Sequence, residues 1–263
     1  MELSGRRVLL TGATGGLGHA IARALHGRGA DLVLTGRRAD VLEPLAAEVG
    51  GRAVAADLAD PAAIGPLVDA AGDVDVLVAN AALPGSGPVL EYEPEQIDRA
   101  LTVNLRAPMQ LARALAEPMV ARGNGHLVFV SSLSGKAASP GSGIYSATKF
   151  GLRGFALGLR EDLHGTGVGV STIFPGFIRG AGMFAESGAR LPRFAGTRTP
   201  EDVAAAVLQA IERGTAEIDV APLSIRLGAA LGGVVPAPIL AVQRRLGANR
   251  VSAEMAAGQR AKR

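Results

Sequence analysis

The sequence of 263 residues contains no cysteine and no tryptophan, and only two tyrosines and three lysines. The absence of cysteine excludes disulfides, thiolate metal sites and cysteine nucleophiles, and it suits a reducing cytoplasm. The four histidines have no metal-ligand spacing, so we predict no metal site and interpret them as ordinary surface or helix positions. Aromatic residues make up 3% of the chain, which leaves little to stack on nucleic-acid bases.

Long apolar runs are also missing. The longest weakly polar stretch, residues 227–242, is too short for a confident membrane span and contains Pro236 and Pro238. The start of the sequence turns directly into a strand pattern, so we expect no signal peptide. An apolar content of 48% is enough for a full core, and we expect a globular cytoplasmic protein.

Charge is distributed unevenly along the chain. The net charge is +3, but residues 221–263 contain seven basic residues and one acid. That segment therefore carries +6, and residues 1–220 carry about −3. Because no binding motif accompanies the basic tail, the charge does not indicate a nucleic-acid partner.

Strand and helix patterns alternate over residues 1–220, which predicts an α/β fold: one domain with a Rossmann-like, doubly wound, seven-stranded parallel sheet flanked by helices. The predicted strands are Arg7–Thr11, Asp31–Thr35, Arg52–Ala56, Val74–Ala79, His126–Ser131, Gly169–Phe174 and Glu217–Val220. The predicted helices cover roughly 16–28, 38–49, 61–71, 94–121, 143–165 and 200–213.

Two segments fall outside this alternation. Residues 176–199 are rich in glycine and suggest a substrate lid, with a disordered surface excursion as the alternative. The residues of the lid include the apolar Met183, Phe184, Leu191 and Phe194 and the basic Arg190, Arg193 and Arg198. Residues 221–263 form a basic, partly helical extension, with Ile239, Leu240, Val242 and Leu246 at helix-like spacing. We favour packing on a partner subunit or on the lid over peripheral contact with anionic lipid.

The first predicted strand runs into a glycine-rich turn and then a helix. The turn reads Thr-Gly-Ala-Thr-Gly-Gly-Leu-Gly over residues 11–18. Its glycines allow a tight turn and a close approach to a pyrophosphate, whose charge the helix N-terminus favours. This order predicts a dinucleotide site. The run fits both Thr-Gly-x-x-x-Gly-x-Gly and Thr-Gly-x-x-Gly-x-x-Gly, spacings that belong to different families.

The end of the second strand indicates which dinucleotide is bound. NAD-binding folds of this type often place an acid there for the ribose 2′-hydroxyl, whereas here Gly36 is followed by Arg37 and Arg38. Arginine can pair with a 2′-phosphate, so NADP is favoured over NAD. The alternative is that both arginines solvate a helix start, where cations are disfavoured. Asp57 follows the third strand and either meets the adenine amino group or serves as a cap or turn residue.

Tyr145 and Lys149 stand four residues apart, and Tyr145 lies thirteen residues after Ser132. Positions i and i+4 share a helix face, so the ammonium can lie beside the phenol and stabilise its phenolate. Bringing the phenol pKa from about 10 toward neutrality requires about 4 kcal/mol. A tyrosine tuned in this way exchanges protons with a substrate oxygen near neutral pH. The alternative is a surface helix in which the spacing is accidental.

Together these motifs resemble the classical type of the short-chain dehydrogenase/reductase family over about residues 5–220. The resemblance rests on the glycine turn, the Ser-Tyr-Lys set and several further motifs in the family's order: Asp57-Leu58, Asn80-Ala81-Ala82, Asn104 in Val-Asn-Leu, Ser131-Ser132 and Pro175-Gly176. The spacing from Ser132 to Tyr145, together with Asn104 and the modest length, favours the classical type over the extended type, and this settles the glycine ambiguity.

The resemblance implies a role for each matching residue. Tyr145 is expected to be the catalytic acid/base, Lys149 to lower its pKa and bind the nicotinamide ribose, and Ser132 to polarise the substrate oxygen. Asn104 is expected to anchor a water in a proton relay. Cofactor contacts are expected from Gly12, Thr14, Gly15, Gly16, Leu17, Gly18, Arg37, Arg38, Asp57, Leu58, Asn80, Ala81, Tyr145, Lys149, Pro175, Gly176 and Ile178. The chain departs from the family where Ala82 replaces a glycine and Gly180 replaces a threonine that contacts the carboxamide.

The sequence therefore predicts an NADP(H)-dependent oxidoreductase that interconverts a ketone and a secondary alcohol on a mostly apolar small molecule. Arginines in the lid would suit an acidic group, so a 3-oxoacyl-carrier-protein-type reductase is the nearest alternative. A non-catalytic nucleotide-binding sensor or scaffold is the alternative from another class. Relatives pair through the helices predicted at 94–121 and 143–165, so we expect a homodimer or homotetramer.

Overall fold

The computed structural model describes residues 1–192 and 195–262, so Arg193 and Phe194 of the predicted lid lie outside the described residues. Seven parallel strands form one sheet in the order β3-β2-β1-β4-β5-β6-β7. They are β1 (Arg7–Thr11), β2 (Asp31–Gly36), β3 (Arg52–Ala55), β4 (Val76–Ala79), β5 (Gly125–Val130), β6 (Val168–Pro175) and β7 (Glu217–Val220). The predicted sheet is confirmed, with small differences at the strand ends.

Eleven helices are described within these residues. They are α1 (Gly16–His26), α2 (Ala39–Glu48), α3 (Ile64–Ala71), α4 (Pro94–Leu101), α5 (Ala107–Ala121), α6 (Gly143–Asp162), α7 (Gly182–Ser187), α8 (Pro200–Arg213), α9 (Leu223–Val234), α10 (Pro236–Arg245) and α11 (Ala248–Gln259). Short 3₁₀ turns add Pro61–Ala63, Val89–Glu91, Leu133–Gly135 and Arg260–Lys262. All six predicted helices are present, and α9, α10 and α11 lie in the tail that was predicted to be partly helical. Only α7 was not predicted among the described helices.

Each face of the sheet buries its own apolar core. On one face α1, α2 and α8 pack their apolar sides, with Ile21, Leu42 and Val207 fully buried. On the other face α3, α5 and α6 do the same, with Leu67, Leu111 and Leu152 buried. The central strands are buried on both sides and read as continuous apolar runs for that reason. The carboxyl ends of the strands therefore form the one edge at which polar loops from several strands converge.

The helix predicted over residues 94–121 is interrupted. A π-helical turn at Thr102–Arg106 separates α4 from α5. Its centre is Asn104, which is 1% exposed and whose amide bonds both backbone groups of Leu83, at 2.6 Å to the nitrogen and 2.9 Å to the oxygen. The extra residue in the turn accommodates this side chain, and π turns of this kind are frequent at functional sites.

The described parts of the lid and the tail pack on each other. Within the lid, Ile178 and Arg198 form an isolated β-bridge, and α7 lies between them in sequence. The tail helix α11 packs against α7, so the tail lies on the lid. No helix of the described ranges is long and apolar enough to span a membrane. The outer side of α9 exposes Leu223, Leu227 and Leu231.

His126 corrects the interpretation of the histidines as surface or helix positions. It lies at the start of β5, is 3% exposed, and its Nε2 is 2.8 Å from Ser171 Oγ. Burial is the largest cause that lowers the pKa of His126 to about 4, and the positive charges of the N-terminus and Arg160 add to it. The folded protein therefore keeps this imidazole neutral through mildly acidic pH.

We predict that His126 makes the fold sensitive to acid. Its folded pKa is below the unfolded value of 6.5, so the unfolded state takes the proton first. Stability present above pH 6.5 is therefore lost as pH falls toward 4, by up to roughly 3 kcal/mol. Urea unfolding at pH 7 and pH 4.5 measures the loss. His126→Gln should flatten this pH dependence and His164→Gln, at an exposed position, should not; equal slopes in both variants would contradict the assignment.

Candidate active site

A cleft of about 640 Å³ opens at the carboxyl ends of the strands. The cleft is lined by Ser132, Tyr145 and Lys149 and by every residue predicted to contact the cofactor. Asn104 is the one predicted site residue that does not line it within the described chain. The sequence motifs thus converge on one cavity, although they are spread over more than 160 residues.

The glycine turn is fixed by β4 as well as by its own helix. Gly12 has φ +66°, and a Cβ there would lie 2.7 Å from the Cα of Ala81. Asn80 Nδ2 donates to the carbonyls of Thr11 and Gly12, at 3.0 and 3.2 Å. Thr11 Oγ1 in turn accepts from the backbone nitrogens of Asn80 and Ala81, both at 3.0 Å. Asn80 therefore stabilises the glycine turn through hydrogen bonds to its backbone. The sequence predicted only a cofactor contact for Asn80.

The end of β2 has no space for an acidic side chain. A Cβ at Gly36 would lie 2.8 Å from Thr14 Cγ2. Arg38 donates from NH2 to the carbonyl of Thr14 at 2.6 Å, which ties α2 to the glycine turn. Arg37 is exposed, lines the cleft and forms no ion pair with any described residue. The two adjacent arginines thus differ: Arg38 supports the turn and Arg37 is available to an anion.

A dinucleotide phosphate fits these residues. The cleft contains the positive end of α1, a cationic side chain at Arg37, and the hydroxyl of Thr35, which is buried and has no hydrogen-bond partner among the described residues. Thr35 was not predicted, because an isolated threonine at a strand end carries no sequence signal. Asp57 lines the same end and accepts from Ala59 N at 3.0 Å; the turn role is therefore observed, and adenine contact stays a prediction.

Lys149 is a buried cation at the centre of the cleft. It lies on α6, is 1% exposed, and its Nζ donates to the carbonyl of Val130 at 3.0 Å. Among the described residues no carboxylate pairs with it. Burial lowers the pKa of Lys149 to about 8. An ammonium has three N–H donors, so it has capacity for ribose hydroxyls in addition to Val130.

Tyr145 differs from the expectation. Its ring centroid is 5.6 Å from Lys149 Nζ, so the pair shares a helix face as predicted. Burial nevertheless raises the pKa of Tyr145 to about 12, and a hydrogen bond with Ser132 opposes this only in part. The predicted shift toward neutrality is therefore wrong for the free protein. The physical reason is that desolvation of the phenolate outweighs a cation whose own charge is disfavoured by burial.

Ser132 and Asn104 position the site from two sides. Ser132 Oγ donates to the carbonyl of Pro175 at 3.4 Å and accepts from Ser134 N at 3.1 Å, so it also caps a 3₁₀ turn. Asn104 lies behind the cleft, where its amide bonds the Leu83 peptide and approaches Thr148 Oγ1 at 3.4 Å. Its side chain is therefore occupied with structure, and the relay role stays a prediction.

The departures from the family pattern have local explanations. Ala82 lines the cleft without closing it. Gly180 has φ +82°, in the region that favours glycine, and the chain turns there into α7. Ala181 and Gly182, immediately after it, line the cleft instead.

The lid contributes part of the apolar wall that was predicted. Met183 and Phe184 line the cleft, and Phe184 packs edge-on against Phe177 at 5.1 Å. Leu191, Arg190 and Arg198 are described and do not line it. The lining residues that were not predicted include Arg99 of α4 and Gln259 of α11. Both belong to segments without a recognised motif, which is why the sequence gave no signal for them.

Comparisons with known proteins agree with this geometry. The family model described as short chain dehydrogenase matches residues 6–191. The ketoacyl reductase HetN of Nostoc sp. (strain PCC 7120) is 36% identical over 93% of this chain and 90% of its own length. The 3-oxoacyl-[acyl-carrier-protein] reductase FabG of Rickettsia conorii is 32% identical over 68% of this chain and 75% of its own.

Among solved structures, a short-chain dehydrogenase from Sphingobium yanoikuyae in complex with NADPH is similar, with a TM-score of 0.75 and 29% identity. The match covers 88% of this chain and 96% of that one. The matched model, the relatives and the cleft with its Ser-Tyr-Lys set show that the chain is an oxidoreductase and belongs to the short-chain dehydrogenase/reductase family.

Proposed function

We propose that this protein interconverts a ketone and a secondary alcohol on a mostly apolar small molecule, with NADP(H) as the cofactor. The observation that carries the proposal is that Ser132, Tyr145 and Lys149 line the same cleft as the glycine turn and Arg37. A similar solved structure contains NADPH, which supports the cofactor. Met183 and Phe184 support an apolar substrate.

In this proposal Ser132, Tyr145 and Lys149 each have a distinct role in the reaction. Bound nicotinamide dinucleotide supplies the hydride chemistry. Ser132 holds the substrate oxygen by a hydrogen bond, and Tyr145 exchanges a proton with that oxygen. Lys149 orients the ribose and adds positive charge beside the phenol. Gly85 lies against the backbone of Tyr145, where a Cβ would be 2.9 Å from its nitrogen, so the absence of a side chain permits this close approach.

The protonation states favour ketone reduction at neutral pH. With pKa values of about 12 for Tyr145 and about 8 for Lys149, the phenol keeps its proton and the amine is mostly charged at pH 7. Reduction requires this neutral phenol, because the oxygen that receives hydride becomes a much stronger base than a phenolate. Oxidation would first require the phenol to lose its proton.

Reduction of a 3-oxoacyl thioester is the second candidate. The HetN and FabG relatives and Arg99 in the cleft wall support it, since a guanidinium suits an acidic group on a carrier. The predicted lid arginines do not contribute: Arg190 and Arg198 do not line the cleft, and Arg193 lies outside the described residues. An intact Ser-Tyr-Lys set argues against the non-catalytic sensor or scaffold.

We also infer a homodimer or homotetramer in the cytoplasm. The outer faces of α5 and α6 expose Met109, Val120, Phe150 and Leu157, which supports pairing through these helices. Light scattering after gel filtration measures the mass, and a monomer would contradict the inference. The lack of cysteine supports a reducing compartment. Because α11 of the tail packs on the lid, lipid contact is not needed to explain that helix.

Replacement of the phenol should abolish turnover. We expect Tyr145→Phe to lower kcat for ketone reduction at least about a hundredfold, because a positioned proton donor contributes that much or more. NADPH absorbance is followed with a panel of apolar ketones and with acetoacetyl thioesters, which separates the two candidate substrates. Tyr92→Phe, at the second tyrosine, is the control and should keep most of the activity. Full turnover by Tyr145→Phe would overturn the mechanism.

The phenol of the free protein should titrate above its ordinary value. In a Tyr92→Phe background Tyr145 is the sole tyrosine and the chain has no tryptophan, so absorbance at 295 nm reports its ionisation alone. Because burial raises the pKa of Tyr145 to about 12, we expect almost no phenolate at pH 10, where an ordinary tyrosine is about half ionised. A midpoint below pH 10 would mean that the charge of Lys149 outweighs desolvation.

The two neighbouring arginines should have separable effects on the cofactor. Arg37→Ala should lower the preference for NADPH over NADH by about ten- to a hundredfold, the size of a lost charge-assisted contact. Arg38→Ala should weaken both cofactors alike, because its guanidinium supports the glycine turn. Kd from nucleotide fluorescence and kcat/KM with each cofactor measure this. An unchanged ratio in Arg37→Ala would refute the assignment of the 2′-phosphate contact.

A further inference from the structure

The C-terminal helix α11 reaches the cleft at its end and is attached both to the lid and to the turn at Val89–Glu91. On the lid side, Gln259 Nε2 donates to the carbonyl of Met183 at 2.9 Å, and Glu254 Oε2 accepts from Arg190 N at 2.8 Å. On the opposite side, Arg260 pairs with Glu91 at 3.0 Å. The end of this helix therefore forms part of the cleft wall, with Gln259 and Ala261 lining it.

Gln259 is an unusual residue for that wall. Its side chain is polar, yet the residue is 2% exposed. Its Nε2 is held by the lid, and its Oε1 has no hydrogen-bond partner among the described residues. The amide cannot be reversed without placing two carbonyl oxygens together, so the orientation is fixed by Met183. A buried amide oxygen left without a donor destabilises a protein, and such groups in native structures call for an explanation.

A glutamine oxygen accepts hydrogen bonds and cannot donate them. It therefore discriminates by chemistry: an O–H or N–H group placed against it is stabilised, whereas a carbonyl, carboxylate or phosphate oxygen is repelled. An alkyl group in the same place leaves the oxygen unpaired. Two kinds of bound molecule can supply the donor, namely a hydroxyl or amide on the substrate and the carboxamide amine of the dinucleotide.

We propose that Gln259 accepts a hydrogen bond through Oε1 from an O–H or N–H group of the molecule bound in the cleft. The C-terminal helix, which lies beyond the matched family residues 6–191, thereby contributes a specificity-determining residue to the active site. This inference rests on the proposed function in one respect: it takes the cleft to be the site for dinucleotide and ketone.

Two substitutions separate the acceptor from the lid contact. Gln259→Met keeps the length of the side chain and removes both hydrogen-bonding groups. Gln259→Lys keeps a donor for the carbonyl of Met183 and removes the acceptor. Arg260→Ala is the matched control, because it loosens the same helix at its pair with Glu91 and leaves Gln259 in place.

Each source of the donor is tested with a pair of ligands that differ in that donor. For the dinucleotide, the pair is NADP⁺ and its 3-acetylpyridine analogue, in which a methyl group replaces the amine. For the substrate, the pair is acetophenone and its α-hydroxy derivative, titrated calorimetrically into the NADP⁺-loaded protein. Both are equilibrium measurements, so they report on Gln259 even if neither ketone is turned over and the proposed function fails.

The wild-type protein should bind the donor-bearing member of at least one pair more tightly, by roughly tenfold. Gln259→Met and Gln259→Lys should both remove that preference, and Arg260→Ala should keep it. If the Gln259 variants lose the preference only between NADP⁺ and its analogue, the donor belongs to the dinucleotide. If they lose it only between the two ketones, the donor belongs to the substrate. Equal binding within both pairs in the wild type, or a preference that survives both Gln259 variants, would overturn the proposal.

Discussion

The buried ammonium of Lys149 is the constraint on which the rest of the site depends. A charge removed from water costs several kcal/mol unless polar groups surround it. Here the carbonyl of Val130, at the end of β5, is its protein partner at 3.0 Å. That bond holds only if α6 lies against the end of β5. Ser131 Oγ secures this arrangement by donating to the carbonyl of Lys149 at 3.2 Å.

The acids near this helix are placed elsewhere, which keeps the charge of Lys149 uncompensated. One turn further along α6, Arg153 pairs with Glu217 at 2.7 Å, and Lys136 pairs with Asp219 at 2.6 Å. The first pair connects α6 to β7, and the second connects the turn after β5 to β7. Both cations help lower the pKa of Glu217 against the effect of burial. A carboxylate beside Lys149 would neutralise its field, so the separation preserves a positive charge for the ligand and for the phenol.

The sequence predicted well what depends on local pattern. All seven strands were predicted from the alternation of strand and helix patterns. The glycine turn, Arg37, Ser132, Tyr145 and Lys149 line one cleft. Prediction from the sequence failed where a structural feature depends on contacts between residues distant in sequence. Asn104, at the π-helical interruption, bonds Leu83, and the buried His126 bonds Ser171 of the neighbouring strand β6. The direction of the Tyr145 pKa also depends on burial, which spacing alone does not reveal.

The contacts between lid and tail bear on the substrate selection that we propose for them. The polar contacts from α11 to the lid go to backbone groups, the carbonyl of Met183 and the nitrogen of Arg190. Gly258 likewise lies directly against the backbone of Ser187. Because the lid side chains take no part in these contacts, Met183 and Phe184 can be exchanged without detaching the tail. We therefore expect the residues of the family motifs to determine the chemistry, and the surfaces that lid and tail turn toward the cleft to select the substrate.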